Sequence, residues 1–282
     1  MKTLLYRMDC LTNMHVGSGD VNYSIIDNEI EKDPVLKNVA VIHPSGVKGA
    51  LKEYFGSAGV DEKIITYIFG NGISTNDKEN STNTSKVKKT APGNYKFMGA
   101  TLMARPLRVS DGAASYILTS SDELLNQQMN LFRALNIKSI NGKSIENFSV
   151  NINKDEIVVS NTDEVKSIEG KNVTAFNKLQ NRDVLTELIG PSFAIASADF
   201  LGTQDYPFIA RNCLDSNGIS QNLWYEEVVP HESVFYFAVM AENEYLDEFK
   251  AVMENVIQFG GNASIGYGFA KVHCVAESPE VL

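Results

Sequence analysis

The positions in this sequence that could do chemistry are acids, one histidine and a set of glycines. Asp27 lies between Ile25-Ile26 and Asn28-Glu29, in a stretch with no clear period. A carboxylate in an irregular loop can orient a nucleophile or hold a divalent metal. Just upstream, His15-Val16-Gly17-Ser18-Gly19 follows a strand-like segment. An imidazole such as His15 titrates near neutral pH and can act as acid or base. The amides around Gly17 and Gly19, with Ser18, could face a ligand. Glu226 and Glu227 follow Trp224-Tyr225 and form a second acidic pair. The densest glycine segment is Phe259-Gly260-Gly261-Asn262-Ala263-Ser264-Ile265-Gly266-Tyr267-Gly268. Successive amides there would suit a phosphate, and a helix stop followed by a hairpin explains the same residues. The order, after a helix and before a strand, is wrong for a dinucleotide fingerprint. Ser45 is a good N-cap for a helical pattern with Lys48 and Lys52 on its polar side, a second place for a phosphate. An ordinary capped surface helix accounts for it as well. GxSxG, HExxH, Walker A and EF-hand patterns are absent, which leaves the familiar hydrolase and kinase readings without support.

These residues need elements to hold them. Residues 2–13 alternate as a strand, with Leu4, Tyr6, Met8 and Cys10 on one face and Leu5 and Leu11 on the other. Val47, Ala50, Leu51, Tyr54 and Phe55 fall at helical spacing, and a second short helix covers residues 62–69. Residues 71–94 are polar and carry Lys86, Lys88 and Lys89, so a mobile loop is expected. Strands are expected over 95–107 and 114–118, then a helix opened by Ser120-Ser121-Asp122-Glu123. Residues 136–205 read as an insertion of small strands with a helix near 182–189. Strands over 208–214 and 223–228 flank the turn Asp215-Ser216-Asn217-Gly218. A strand over 233–241, a helix over 244–257 that stops at Gly260-Gly261, and a strand over 269–275 complete the chain. Helices interleaved with mostly antiparallel strands predict an α+β, ferredoxin-like core with large insertions.

With 43% hydrophobic and 21% charged residues in 282, the chain can bury a real core. It lacks a run of about eighteen apolar residues, so no membrane span or membrane partner is expected. Three scattered cysteines, Cys10, Cys213 and Cys274, argue against a zinc site or a disulfide framework and fit a reducing cytoplasm. The net charge of −10 opposes phosphate binding through charge alone. It leaves room for a basic or amide-rich groove in an acidic protein.

Taken in order, these segments resemble the RAMP superfamily of CRISPR proteins, most closely the Cmr-type backbone subunit of type III-B complexes. Leu11-Thr12-Asn13-Met14-His15-Val16-Gly17-Ser18-Gly19 looks like the family's L-T-P-x-H-V-G-S-G. Asp27, Ile30 and Lys32 sit where it has D-x-P-I-x-R, with Glu29 in place of the proline. Pro44-Ser45-Gly46-Val47-Lys48-Gly49-Ala50-Leu51-Lys52 resembles P-G-S-S-L-K-G-A-L-R, and Ala104-Arg105-Pro106-Leu107-Arg108 resembles F-P-V-R-S. Phe208-Ile209-Ala210-Arg211, then Leu223-Trp224-Tyr225-Glu226-Glu227 through Pro230, resemble T-R-I and L-F-x-E-E-x-x-P. The loop from Gly260 to Gly268 is similar to G-G-N-E-T-I-G-x-G, with Ala263 and Ser264 for Glu and Thr.

The resemblance covers roughly residues 1–57, 95–135 and 206–275, and implies a single RAMP domain over 1–282. It further implies copies of the chain stacked in a filament along a guide RNA, other Cmr-complex subunits, and a target RNA cut at regular intervals. Gly17, Ser18, Gly19, Ser45, Lys48, Lys52, Arg108, Arg211, Gly260, Gly261, Asn262, Gly266 and Gly268 would contact the guide backbone. Asp27 would be the cleaving carboxylate or the ligand of a divalent metal, Mg²⁺ or Mn²⁺, with His15 and Glu227 in support. A thumb-like β-hairpin, placed in 136–205 with Phe148 or Phe176 as wedge, would enter the guide–target duplex. Two rival readings are a guide-binding scaffold that does not cut and a non-CRISPR, ligand-binding α+β protein.

Overall fold

Alternation in the first ten residues sets the architecture. Strand β1 (Lys2–Cys10) sends Leu4, Tyr6, Met8 and Cys10 into one apolar cluster and Leu5 into another. A strand buried on both sides needs cover on both faces. The computed structural model describes residues 1–17, 26–71, 91–154, 156–175 and 181–279. Most of the loop expected over 71–94 lies outside the described residues, as do Ser18, Gly19 and Phe176.

The first face is covered by helices α1 (Pro44–Ser57) and α2 (Glu62–Phe69). In α1, Val47, Leu51 and Phe55 recur every four residues and are buried. Pro44 occupies the first turn, where its fixed φ suits a helix start, so the cap position falls on His43 and not on Ser45. Next come β2 (Ala100–Gly112), β3 (Tyr116–Ser121) and α3 (Asp122–Ala134), whose cap is Ser121. Strand β4 (Ile157–Val159), helix α4 (Arg182–Leu188) and strand β5 (Phe193–Ala196) follow. Strands β6 (Phe208–Leu214) and β7 (Ser220–Glu227) pair only with each other as named strands. Strand β8 (Val234–Ala241), helix α5 (Leu246–Met253), and strands β9 (Val256–Gln258) and β10 (Phe269–Glu277) complete the fold.

One large mixed sheet runs β4-β5-β3-β2-β8-β1-β10-β9, with β3 and β5 parallel and the other neighbours in this run antiparallel. The protein is thus α+β. Phe249 of α5 sits among Tyr6, Phe55, Tyr95 and Phe97, with ring centroids 5.2–6.4 Å away. Helix α5 ends at Met253, short of the glycines expected to stop it. Val256, Ile257 and Gln258 instead pair with Lys271, Ala270 and Phe269, and Val256 is exposed. Sheet pairing overrides the helical spacing there.

Among the described residues of 136–205, none stands out as a thumb. Ile140, Ile145, Phe148 and Val150 join α3 and α4 over the second face of the sheet. Ile157, Val159, Val165 and Ile168 build a third apolar cluster with Leu107 and Ile117. Phe148, expected as a wedge, is 3% exposed and cannot reach a duplex. The hairpin that does stand free is β6–β7, with Phe208, Leu214, Ile219 and Leu223 each more than half exposed.

Candidate functional site

With both sheet faces covered, chemistry falls to loops at the strand ends. At the end of β1 the Cys10 amide donates to the Ser233 carbonyl, and just past it the Leu11 and Thr12 amides donate to that of Phe269. Met14 exchanges two backbone bonds with Val229, at 2.9 and 2.8 Å. Residues 10–17 are therefore held between the segment leading into β8 and the glycine loop leading into β10. The Nδ1 of His15 lies 2.7 Å from the Glu227 carbonyl oxygen. A carbonyl only accepts, so Nδ1 carries the proton and Nε2 is the nitrogen left for other work. A Cβ at Gly17 would come within 3.0 Å of that Nε2.

The glycine loop turns out to be a packing device. A Cβ at Gly260 would meet the His15 oxygen at 2.3 Å, and one at Gly268 the Phe259 oxygen at 2.0 Å, both at positive φ. The Gly261 amide donates to His15 and the Gly268 amide to Asn13, each at 2.9 Å, and the Gly266 amide to Ala263 at 3.0 Å. Those three amides serve the protein's own backbone rather than standing open for a phosphate. Asn262, in a left-handed conformation (φ 64°), sends its side-chain amide to Glu226 Oε2 at 3.0 Å.

Asp27 is exposed and mounted on β7. Its amide and that of Asn28 donate to the Tyr225 carbonyl at 3.1 and 3.2 Å, and its Oδ2 accepts the Tyr225 amide at 2.8 Å. Asn28 pairs in parallel with Glu226, and the Glu227 amide donates to the Asn28 carbonyl. Residues 27–28 thus act as a short third strand on the hairpin's free edge.

The two glutamates beside it are already engaged. Glu227, 5% exposed, takes Lys32 Nζ on Oε1 at 2.9 Å and the Ile30 amide on Oε2 at 3.2 Å. Glu226, 6% exposed, takes Trp224 Nε1 on one oxygen, and Arg211 Nη1 and Asn262 on the other. Burial pushes the Glu226 carboxyl upward. The Trp224 N–H and the Arg211 guanidinium, with His15 nearby, outweigh that and hold it below the ordinary glutamate range. Arg211, expected on the guide, is largely enclosed between Trp224 and Tyr267 and committed to Glu226.

At the hairpin root, the Arg105 guanidinium stacks 4.0 Å from the Tyr206 ring, with Lys32 5.7 Å from the same ring. The Tyr206 hydroxyl accepts from Ala40 and donates to Asn38. Sequence reasoning missed Lys32, Tyr206 and the Tyr225 backbone as parts of the site. For Lys32 a signal existed, since it occupies the family's arginine position. Tyr206 and the Tyr225 main chain carry none.

The other basic residues expected at the site lie on other elements. Lys48, half-buried, borders a groove of about 330 Å³ with Ser45, Tyr95 and Lys96. Lys52 donates to the Gly70 carbonyl at 2.9 Å. Arg108, 73% exposed near the end of β2, pairs with Glu169 at 3.5 Å. Among the described residues, no group of three or more His, Cys, Asp or Glu is placed to hold a metal. No helix among them is long and apolar enough to cross a membrane.

A sheet closed on both faces, with an exposed carboxylate on the edge of a free hairpin, defines an α+β protein that works through its strand-end loops. The model of the RAMP superfamily matches residues 7–271, and the chain belongs to that superfamily. It is 25% identical over 297 residues to the CRISPR system Cmr endoribonuclease Cmr4 of Pyrococcus furiosus, spanning 96% of this chain and 95% of that protein. Its fold is similar to a chain of the type III-B Cmr-beta complex bound to cognate target RNA, with a TM-score of 0.71, 17% identity and 96% of each chain covered. It is also similar to oligomeric Cmr4 from Pyrococcus furiosus, with a TM-score of 0.66, 20% identity and 98% of each covered.

Proposed function

We propose that this chain is a backbone subunit of a type III-B CRISPR ribonucleoprotein and cleaves target RNA paired to the guide. Copies of the chain, with other Cmr-complex subunits, would line the guide in a filament. The full-length relationship to a Cmr endoribonuclease supports this reading. So does the strand order β2-β8-β1-β10, with α1 and α5 in the crossings, which is the order of a ferredoxin-like core. The observation that carries the reading is Asp27, an exposed carboxylate fixed to the edge of a hairpin that bears exposed apolar residues beside and below its polar turn.

In this reading β6–β7 is the thumb. Its exposed apolar side chains, Leu214, Ile219 and Leu223, enter the guide–target duplex and splay one target nucleotide, as apolar wedges do in other nucleic-acid complexes. The freed 2′-hydroxyl then lines up with the adjacent phosphorus, a geometry the duplex forbids. Asp27 orients that hydroxyl and takes its proton. The new 2′-O–P bond forms as the P–O5′ bond breaks, leaving a 2′,3′-cyclic phosphate and a 5′-hydroxyl. With Nδ1 held by the Glu227 carbonyl, His15 in its doubly protonated form would supply a proton from Nε2 to the departing oxygen. Glu227 holds Lys32 and the Ile30 amide, so its part is to shape the loop that carries Asp27.

Lys48 and Arg108, the least committed of the expected cations, are assigned to the guide backbone, with Ser45 at the open start of α1. A divalent ion, Mg²⁺ or Mn²⁺, would find one exposed carboxylate here. Glu226 and Glu227 have no free oxygen to add, so water and RNA would fill its other positions. The free cysteines Cys10, Cys213 and Cys274 support a cytoplasmic setting.

The deciding experiment compares wild type with Asp27→Ala in the assembled complex, with Mg²⁺ and with EDTA, alongside guide and target binding. Loss of cutting by about 100-fold or more with binding intact is expected. Cutting at the wild-type rate would leave the scaffold reading. Failure of the purified protein to carry any small RNA would favour a ligand-binding α+β protein outside CRISPR. Cutting that survives EDTA removes the metal from the step.

A further inference from the structure

We propose that Glu226 is the positioning residue that fixes Asp27, by locking β7 to the glycine loop. This rests on the reading of Asp27 as the cleaving carboxylate. Asp27 gains its place from the main chain of Tyr225, which supplies one donor to Oδ2 and one acceptor to its amide. The position of the carboxylate therefore follows the position of β7 at residue 225. The hairpin pairs with no named strand of the main sheet, and Glu227 anchors its root to His15, Lys32 and Ile30, so beyond that root its angle to the core depends on further contacts.

Glu226, next in sequence after Tyr225, supplies those contacts. Its buried carboxylate gathers three donors from three places. Trp224 Nε1 at 2.9 Å belongs to the same strand, and Arg211 Nη1 at 2.9 Å to the partner strand. Asn262 Nδ2 at 3.0 Å belongs to the loop tied to His15 through the Gly261 amide. The Arg211 guanidinium is further enclosed by Trp224 and Tyr267, with ring centroids 5.7 and 5.9 Å away. One carboxylate thus joins both hairpin strands to the loop that also bonds the His15 main chain. This gives the loop a structural task. Its turn holds Asn262 left-handed, which aims the side-chain amide at Glu226. It also separates the two acids of the pair: Glu227 shapes the loop before Lys32, whereas Glu226 sets the hairpin's angle.

Removing the lock lets Asp27 wander relative to the splayed nucleotide while the rest of the RNA contacts stay in place. An error of about 1 Å in such a group is enough to cost on the order of 100-fold in rate. Glu226→Gln keeps the size but turns an amide toward donors, so at least one of the three bonds is lost.

The test uses the assembled complex in single-turnover cleavage at saturating target, with target affinity measured separately. Glu226→Gln and Arg211→Gln are each expected to slow cutting about 10- to 100-fold, with affinity changed by less than about 2-fold. The double variant, which replaces the ion pair by an amide–amide pair, is expected to recover about 5-fold or more. Trp224 is the only tryptophan of this chain, so a shift in the emission of the purified subunit reports that the lock has opened. A Glu226→Gln complex that cuts at the wild-type rate overturns the proposal. Equal losses in affinity and rate without rescue also overturn it, because they mark a merely structural role. If Glu226→Gln fails to assemble, Asn262→Ala decides: an intermediate loss of rate at full affinity supports the lock, and no loss rejects it. Asp27→Ala, run in parallel, separates the two ideas, since wild-type cutting by that variant defeats the cleavage reading itself.

Discussion

Three carboxylates near one another in space have different jobs here, and the difference lies in their lone pairs. Asp27 commits Oδ2 to a backbone amide and is exposed, so it can meet a substrate hydroxyl. Glu227 and Glu226 are buried with both oxygens engaged by the protein's own donors, which leaves neither facing a substrate hydroxyl. The lowered value of Glu226 carries a sign that can be measured. A carboxyl held below its unfolded value stabilises the fold above that value, and the contribution disappears as pH falls through the folded one. The lock should therefore be intact at neutral pH and open only below the ordinary glutamate range. Trp224 emission, followed with far-UV circular dichroism as a control on global unfolding, should show a transition below that range. The same transition should be missing in Glu226→Gln. A midpoint above the ordinary range would mean that burial, not Arg211 and Trp224, dominates the site.

At the scale of elements, the hairpin decides how far the sequence could be read. Its two strands were legible, because Asp215-Ser216-Asn217-Gly218 marks a turn and Asp215 Oδ1 does accept the Asn217 and Ile219 amides. Its role as the projecting element was not. Apolar residues spaced along a strand look alike whether they face a core or water, and only the structure shows Leu214 and Leu223 more than half exposed. The same limit put a wedge at Phe148, which is core. It also lengthened α5 through Val256, because helical spacing at a chain end does not reveal a short strand pairing. The site itself was assembled by resemblance rather than spacing. His15, Asp27, Glu226 and Asn262 meet only through the register that β1, β7 and β10 impose. The exposed tip yields a prediction of its own. Ile219→Ser together with Leu223→Ser should slow target cutting about 10-fold or more. The folded state should change by less than about 0.5 kcal/mol per site, since neither side chain packs in a core. Cleavage rates and thermal melting would be read on the same preparations. Unchanged cutting would show that the tip does not enter the duplex.

For the molecule as a whole, the closed sheet and the charge set how RNA must be held. An open α+β sheet of the RNA-binding kind stacks bases on one face. Here α1, α2 and α5 cover one face, and α3, α4 and residues 137–150 cover the other, so no aromatic platform is left on it. The net charge of −10 adds a second constraint. Near the site Arg211 and Lys32 are paired with acids, and Lys52 is tied to a carbonyl. Among the described cations assigned to the guide, Lys48 and the exposed Arg108, whose ion pair with Glu169 is longer at 3.5 Å, are the ones best able to meet phosphates. Binding must then lean on amides, hydroxyls and assembly with neighbouring copies, which release few counterions. The isolated chain should therefore bind a short single-stranded RNA weakly. Its affinity should fall with salt at a log–log slope no steeper than about −2, since each phosphate neutralised contributes about −0.7. A titration of a labelled oligonucleotide across a salt series measures this slope directly. A slope steeper than about −4 would mean that charge does most of the holding. That result would move the contact to lysines outside the described residues, with Lys86, Lys88 and Lys89 the first to substitute.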